Sequence, residues 1–107
     1  MKITTNTTIQ YMHTGNIEVY ATSTLTVNGT VVGDVHINEN CICNINGTIT
    51  GNLYVLSAAK ADVFGVVSGI VYNNGGTIRV FGVAGSVITN SGETFIDRDA
   101  IVDNNRN

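Results

Sequence analysis

The chain has 107 residues, a length that suits one domain, and 43% of them are hydrophobic, which is enough to build a core. Only 12% are charged and the net charge is −3, so the chain lacks the basic face that nucleic-acid-binding proteins need. No stretch reaches the roughly 18 to 20 apolar residues of a membrane span. The first residues show no signal-peptide pattern either, so we expect a cytoplasmic protein.

Short strands joined by tight turns are predicted throughout, because 12 glycines and no proline accompany many Thr, Val and Asn residues. In chain order, copies of one Gly-rich pattern occupy residues 14–19, 29–37, 47–55, 65–72 and 82–87. The three central copies recur at a constant interval of about 18 residues, and such a fixed period is typical of solenoids. We therefore predict an all-β chain that forms a single-stranded parallel β-helix of about five coils. It is one domain over 1–107, with repeats over about 11–97.

Six inward positions per coil alternate with polar positions, as in strands that bury one face. The predicted inward columns are Ile17, Val35, Leu53, Val71, Val87; His13, Val31, Ile49, Val67, Ala84; Val19, Ile37, Val55, Asn73; Val27, Ile45, Val63, Val80; Leu25, Cys43, Ala61, Ile78; and Ser23, Cys41, Ala59. Six inward residues suit a three-sided coil with two per side. The residues after the turn at 73–76 align with the earlier columns only if one residue is deleted near that turn. The segment 94–99 is expected to break the repeat pattern.

Polar residues also recur at the coil period. Asn16, Asp34 and Asn52 are predicted to form a ladder that hydrogen-bonds along the stack. A β-sandwich is the competing fold, but it needs turns every 8 to 12 residues, and no such register is present.

The pattern Gly-x-Val/Ile-x-Gly-Asp/Asn-Val/Leu-x-Val/Ile, found at 29–37 and 47–55, resembles the repeat of bactofilins, bacterial cytoskeletal proteins that form polymers. The resemblance implies a right-handed β-helix that stacks end to end into filaments without nucleotide. A left-handed hexapeptide helix has the same coil length and stays open as an alternative, because apolar residues from Val19 to Val55 also fall six apart.

Two sets of residues are predicted to contact proteins. The proposed outward contact face comprises Glu18, His36, Tyr54, Tyr72, Phe64 and Phe81. The proposed end contacts are Ile3, Ile9, Phe95, Ile96 and Ile101. Exposed aromatic residues are enriched at interfaces, which is the physical basis of the first set.

No catalytic, metal or cofactor site is predicted. Cys41 and Cys43 fall in packing columns, and neither has the base or the electropositive setting that a nucleophilic thiol needs. His36 and His13 are interpreted as a surface ladder residue and a capping residue. The chain is therefore expected to be a non-enzymatic homo-oligomer that self-associates through its ends. The alternative is a small acidic inhibitor or immunity protein that masks a toxin or enzyme.

Overall fold

Alternation of apolar and polar residues produces short strands with one buried side in a computed structural model that describes residues 1–102. The fourteen strands of this part of the chain are β1 (Lys2–Ile3), β2 (Thr7–Ile9), β3 (Met12–Thr14), β4 (Ile17–Val19), β5 (Thr24–Val27), β6 (Thr30–Val32), β7 (Val35–Ile37), β8 (Ile42–Ile45), β9 (Thr48–Ile49), β10 (Leu53–Val55), β11 (Lys60–Val63), β12 (Val66–Val80), β13 (Val83–Ile96) and β14 (Ile101–Val102). All their pairings are parallel and join neighbouring coils, which confirms the all-β solenoid.

The strands stack into three ladders, which form the three sides of the coil. Side 1 contains β1, β4, β7, β10 and then parts of β12 and β13. Side 2 contains β2, β5, β8, β11 and the later parts of β12 and β13. Side 3 contains β3, β6, β9, the first residues of β12 and β13, and β14. The three-sided coil that the inward positions predict is thus present.

The solenoid has about six coils, one more than the sequence pattern indicates. The additional coil is the first one, in which Lys2 pairs with Glu18 and Met12 pairs with Thr30. The segment 94–99 was also expected to break the pattern, and for its first three residues this is wrong. Thr94 and Ile96 pair with Ile78 and Val80 and continue their columns.

The predicted inward columns form one core along the axis. Their members are buried as the alignment predicts, except His13 and Val87 at two column ends, which are half-buried. The predicted one-residue deletion near 73–76 is also confirmed, because the step from Lys60 to its partner Thr77 is one residue shorter than the step from Ile42 to its partner Lys60. The polar ladder hydrogen-bonds as expected: the Oδ1 atoms of Asn16 and Asp34 accept from the backbone N–H of the next coil at 2.8 Å. At this corner, where the strands separate, the side-chain oxygens accept hydrogen bonds that backbone carbonyls accept within the strands.

The shortened corner depends on Asn73, which is fully buried in a column that is aliphatic in the preceding coils. Its Oδ1 accepts from the backbone N–H of Gly75 at 3.2 Å and of Gly76 at 2.9 Å. Its Nδ2 donates to the carbonyl of Glu93 at 2.8 Å and to Thr94 Oγ1 at 3.0 Å. All four hydrogen-bonding positions of the amide are used, so this polar group is stable inside the core.

Candidate protein-contact surfaces

The outward ladder of side 1 contains Glu18, His36, Tyr54 and Tyr72 in register, as predicted. The His36 and Tyr54 rings stack with centroids 4.4 Å apart, and Tyr54 and Tyr72 stack at 4.9 Å. Because the rings lie face to face along the axis, they cover one another and present mainly their edges outward. The stack therefore stabilises the ladder more than it offers flat aromatic surfaces to a ligand.

Glu18 and His36 are neighbours in this ladder but do not form an acid–base pair. Glu18 Oε1 instead accepts from the Tyr20 hydroxyl at 3.2 Å, and this hydrogen bond is the main reason that the pKa of Tyr20 is raised. His36 Nδ1 has no hydrogen-bond partner among residues 1–102. The geometry gives no support for a base at His36.

A second set of aromatic side chains lies at the corner between sides 2 and 3. Phe64 and Phe81 stack at this corner with centroids 5.1 Å apart, and Phe95, which points outward from side 2 in the column of Arg79, lies 6.1 Å from Phe81 at a tilt of 54°. Phe64 and Phe95 are each 53% exposed. The predicted single contact face is therefore wrong in one respect: Phe64 and Phe81 lie on a different part of the surface from the side 1 ladder.

Apolar residues of side 3 extend this aromatic corner. Val66, Val83 and Ile101 occupy successive coils of one outward column directly after the corner. In the second and third coils the equivalent positions are occupied by polar residues, Asn28 with Thr30 and Asn46 with Thr48. We call the later, apolar set the corner ridge; it comprises Phe64, Val66, Phe81, Val83, Phe95 and Ile101.

The two ends of the solenoid carry most of the other large exposed apolar side chains. Met1, Tyr11 and Met12 belong to the first coil and are 56%, 86% and 69% exposed, and none of the three is among the end contacts predicted from the sequence. Ile88, also missed, and Ile101 belong to the last coil. Of the predicted end contacts, Phe95 and Ile101 are exposed and Ile96 is half-buried. Ile3 and Ile9 are instead buried, because they begin the inward columns of Val19 and Val27.

The two cysteines are free thiols buried in the core. Cys41 Sγ donates to the carbonyl of Val19 at 3.5 Å. Burial raises the pKa of the Cys43 thiol far above its ordinary value, and the nearby carboxylate of Asp62 adds to the effect. A thiol held in its protonated form is a poor nucleophile and a poor metal ligand, which favours a packing role.

The raised pKa of Cys43 predicts a loss of stability in alkali. The unfolded chain releases this proton near pH 8.5, whereas the folded chain retains it, so the stabilising contribution is complete below about pH 8.5 and falls above it. We expect Cys43 to lower the free energy of unfolding by about 1.4 kcal/mol per pH unit above about pH 9. Urea unfolding at several pH values measures this slope. The C43A variant, which resembles Ala61 one coil later, should lose that part of the slope, and equal slopes would contradict the assignment.

Other features give no sign of a reactive centre. His13 is partly buried and begins the column of Val31, as predicted. Residues 1–102 contain no group of three or more His, Cys, Asp or Glu side chains that could hold a metal ion. An open groove of about 310 Å³ at the corner between sides 1 and 2 is lined by Tyr20, Ala21, Asn38, Glu39 and Leu56.

Comparison of the chain with protein-family models, curated proteins and solved structures gives no match. The resemblance to bactofilins therefore stays a prediction from the repeat. Over residues 1–102 there is also no helix long and apolar enough to cross a membrane.

Proposed function

We propose that this protein is a structural component that self-associates end to end, with the last coil of one copy docked on the first coil of the next. One observation carries the proposal: large exposed apolar side chains are concentrated in the two terminal coils. Exposed apolar surface can mark a site of protein–protein contact, and contact between the ends would cover part of both sets.

The ladders favour a head-to-tail arrangement, because each one could continue into a second copy with parallel pairing. On side 3, the outward column ends at Ile101 and begins at Met12, so these two exposed residues would become neighbours across the junction. On side 2, the inward column ends at Ile96 and begins at Ile9. Apolar residues would meet apolar residues on both sides.

The backbone supplies a second driving force. Within residues 1–102, the strands of each terminal coil pair on one side only, so their outer edges carry N–H and C=O groups without a strand partner in this part of the chain. Docking of a second copy would pair these groups on all three sides at once. Because the last coil meets the first coil of a different copy, the contact is heterologous, and such contacts produce rings or open filaments.

The M12D substitution tests this function. Association would half-bury the new carboxylate beside Ile101, because the interior members of this outward column are half-buried, so we expect assembly to weaken by about tenfold. Met12 is 69% exposed, so the folded monomer should tolerate the change.

Sedimentation velocity and electron microscopy over a wide concentration range provide the measurement. The control is I42D, which places the same charge on an exposed residue in the middle of the solenoid. Linear assemblies of the natural chain and of I42D, weakened in M12D, would support the proposal. A natural chain without linear assemblies at millimolar concentration, or M12D assemblies as long as those of I42D, would reject it.

A further inference from the structure

Tyr11 lies at a position of the corner between sides 2 and 3 that glycine occupies in the next four coils. The equivalent residues are Gly29, Gly47, Gly65 and Gly82, and a Cβ atom on each would overlap the carbonyl oxygen of its equivalent in the preceding coil. A side chain at this position therefore points along the axis, toward the preceding coil. Tyr11 belongs to the first coil and is 86% exposed, so its ring projects to where a docked copy would lie.

The last coil departs from the repeat at the same corner. In the fifth coil, residues 81–82 connect Val80 to Val83, whereas in the last coil residues 97–100 connect Ile96 to Ile101. The added residues form an exposed turn, which is closed by a hydrogen bond of 3.0 Å from the N–H of Ala100 to the carbonyl of Asp97. The two coils that would meet at a junction are thus both irregular at this corner.

The wider corner changes the backbone that Tyr11 would face. A Cβ atom at Gly82 would lie 2.5 Å from the carbonyl oxygen of Phe64, the corner residue of the preceding coil. Asp97 is the corner residue of the last coil, and its carbonyl bonds to Ala100 within the turn. The side chain of Ala100 packs against the core, a direction that differs from that of a Cβ at Gly82. The last coil therefore does not present the peptide arrangement that excludes a side chain in the interior coils.

The amide side chains at this corner add a directional signal. Asn46 Nδ2 donates to Asn28 Oδ1 at 2.9 Å, and Asn28 Nδ2 donates to Gln10 Oε1 at 3.5 Å, so each amide donates toward the preceding coil. The column ends at Asp97, whose backbone N–H donates to Val80 as that of Asn46 donates to Val27. A docked last coil would therefore place the Asp97 carboxylate, an acceptor, next to the Gln10 amide, a donor.

We propose that this corner determines the polarity and register of the end-to-end junction, an inference that rests on the proposed function. Tyr11 fits over the wide corner at residues 97–100 of the preceding copy, and Gln10 Nε2 donates to Asp97 of that copy. A corner of the interior type would collide with Tyr11. Tyr11 is thus the repulsive element that specificity requires, and the hydrogen bond is the attractive one.

Exchange of the two corners for the interior type tests the fit. Y11G gives the first coil the corner of Gly29, and deletion of Arg98 and Asp99 together with A100G gives the last coil the corner of Phe81 and Gly82. Y11G should weaken linear assembly by about tenfold through loss of the ring contact. The short corner should weaken it by at least tenfold through the clash with Tyr11.

The combination of both changes in one chain gives the decisive comparison. Two interior-type corners meet without a clash, as they do inside the solenoid, so the combined variant should assemble at least tenfold better than the short-corner variant. Sedimentation velocity measures assembly, and far-UV circular dichroism with the melting temperature verifies that each variant is folded.

The hydrogen bond has a separate test, because Q10E keeps the oxygen that accepts from Asn28 but places a carboxylate opposite Asp97. Assembly of Q10E should weaken by about tenfold. The Q10E/D97N variant restores a donor opposite an acceptor and should regain the natural affinity. The control is T50E, which adds the same charge at an exposed position in the middle of the solenoid and should leave assembly unchanged.

Three results would overturn the corner assignment: a Y11G protein that assembles more strongly than the natural chain, a combined variant no better than the short-corner one, or a Q10E defect that D97N does not rescue. Linear assemblies that respond to M12D but show one of these results would reject the corner assignment and leave the end-to-end function standing. A natural chain without linear assemblies would reject both.

Discussion

Replacement of Asn73 by valine is expected to lower the free energy of unfolding by about 4 kcal/mol, although valine matches the aliphatic residues of its column. Valine cannot replace the hydrogen bonds of the amide. The buried N–H of Gly76 and the carbonyl of Glu93 would lose the partners they have at 2.9 and 2.8 Å. The hydrophobic gain of a buried valine, about 1.5 to 3 kcal/mol, does not offset several unpaired polar groups and an unsupported corner.

Chemical denaturation of N73V measures this effect, and N44V is the matched control. Asn44 occupies an outward, half-buried position on side 2, so the same chemical change there removes no core hydrogen bond. We expect N44V to remain within about 0.5 kcal/mol of the natural chain. Similar stabilities of N73V and N44V would show that the shortened corner does not depend on this amide.

G47A is expected to have a comparably large effect, because this glycine lies against the backbone of the preceding coil. A Cβ atom at Gly47 would lie 1.9 Å from the carbonyl oxygen of Gly29 and 2.7 Å from that of Asn28. Backbone cannot move aside without separating two coils, so we expect a loss of about 3 kcal/mol or more. Such contact explains why glycine recurs at this corner at the coil period.

G15A distinguishes the clash from ordinary backbone strain. Gly15 has a φ of 118°, which disfavours alanine, but its Cβ would meet only His13 Nε2, at 3.9 Å. This variant should lose about 1 to 2 kcal/mol through conformation alone. Thermal or urea unfolding of both variants gives the comparison, and a G47A protein more stable than G15A would disprove the steric explanation.

The central coils could be predicted from the sequence because their repeat is regular. A coil that buries two residues per side requires apolar residues at fixed intervals, and from Ile17 to Val71 these intervals are nearly constant. The first coil was missed because it is shorter on side 1, where the step from Ile3 to its partner Val19 is smaller than the step from Val19 to Ile37. Residues 2–14 are therefore recognised as a coil from their strand pairing and not from similarity to the repeat.

The candidate surfaces were predictable only in part, for a related reason. The repeat alignment identifies which residues point outward, and it placed Tyr54 with Tyr72 and Phe64 with Phe81 correctly. It does not show which columns belong to the same side of the coil, so it merged two separate surfaces into one face. Nor does it give exposure at the ends, where Ile3 is covered and Met12 is not.

The pairing between neighbouring coils also determines which part of the molecule unfolds first. Strand partners lie a single coil apart in the chain, as in Val71 with Val87 and Val83 with Ile101, so each coil in residues 1–102 pairs only with its immediate neighbours. Such a stack behaves as a one-dimensional array, in which the outermost members have one neighbour and fray first. End-to-end docking would give the first and last coils of residues 1–102 a second neighbour. Assembly would then protect the least stable part of each molecule, and subunits inside a chain of copies would resist unfolding and proteolysis better than those at its tips.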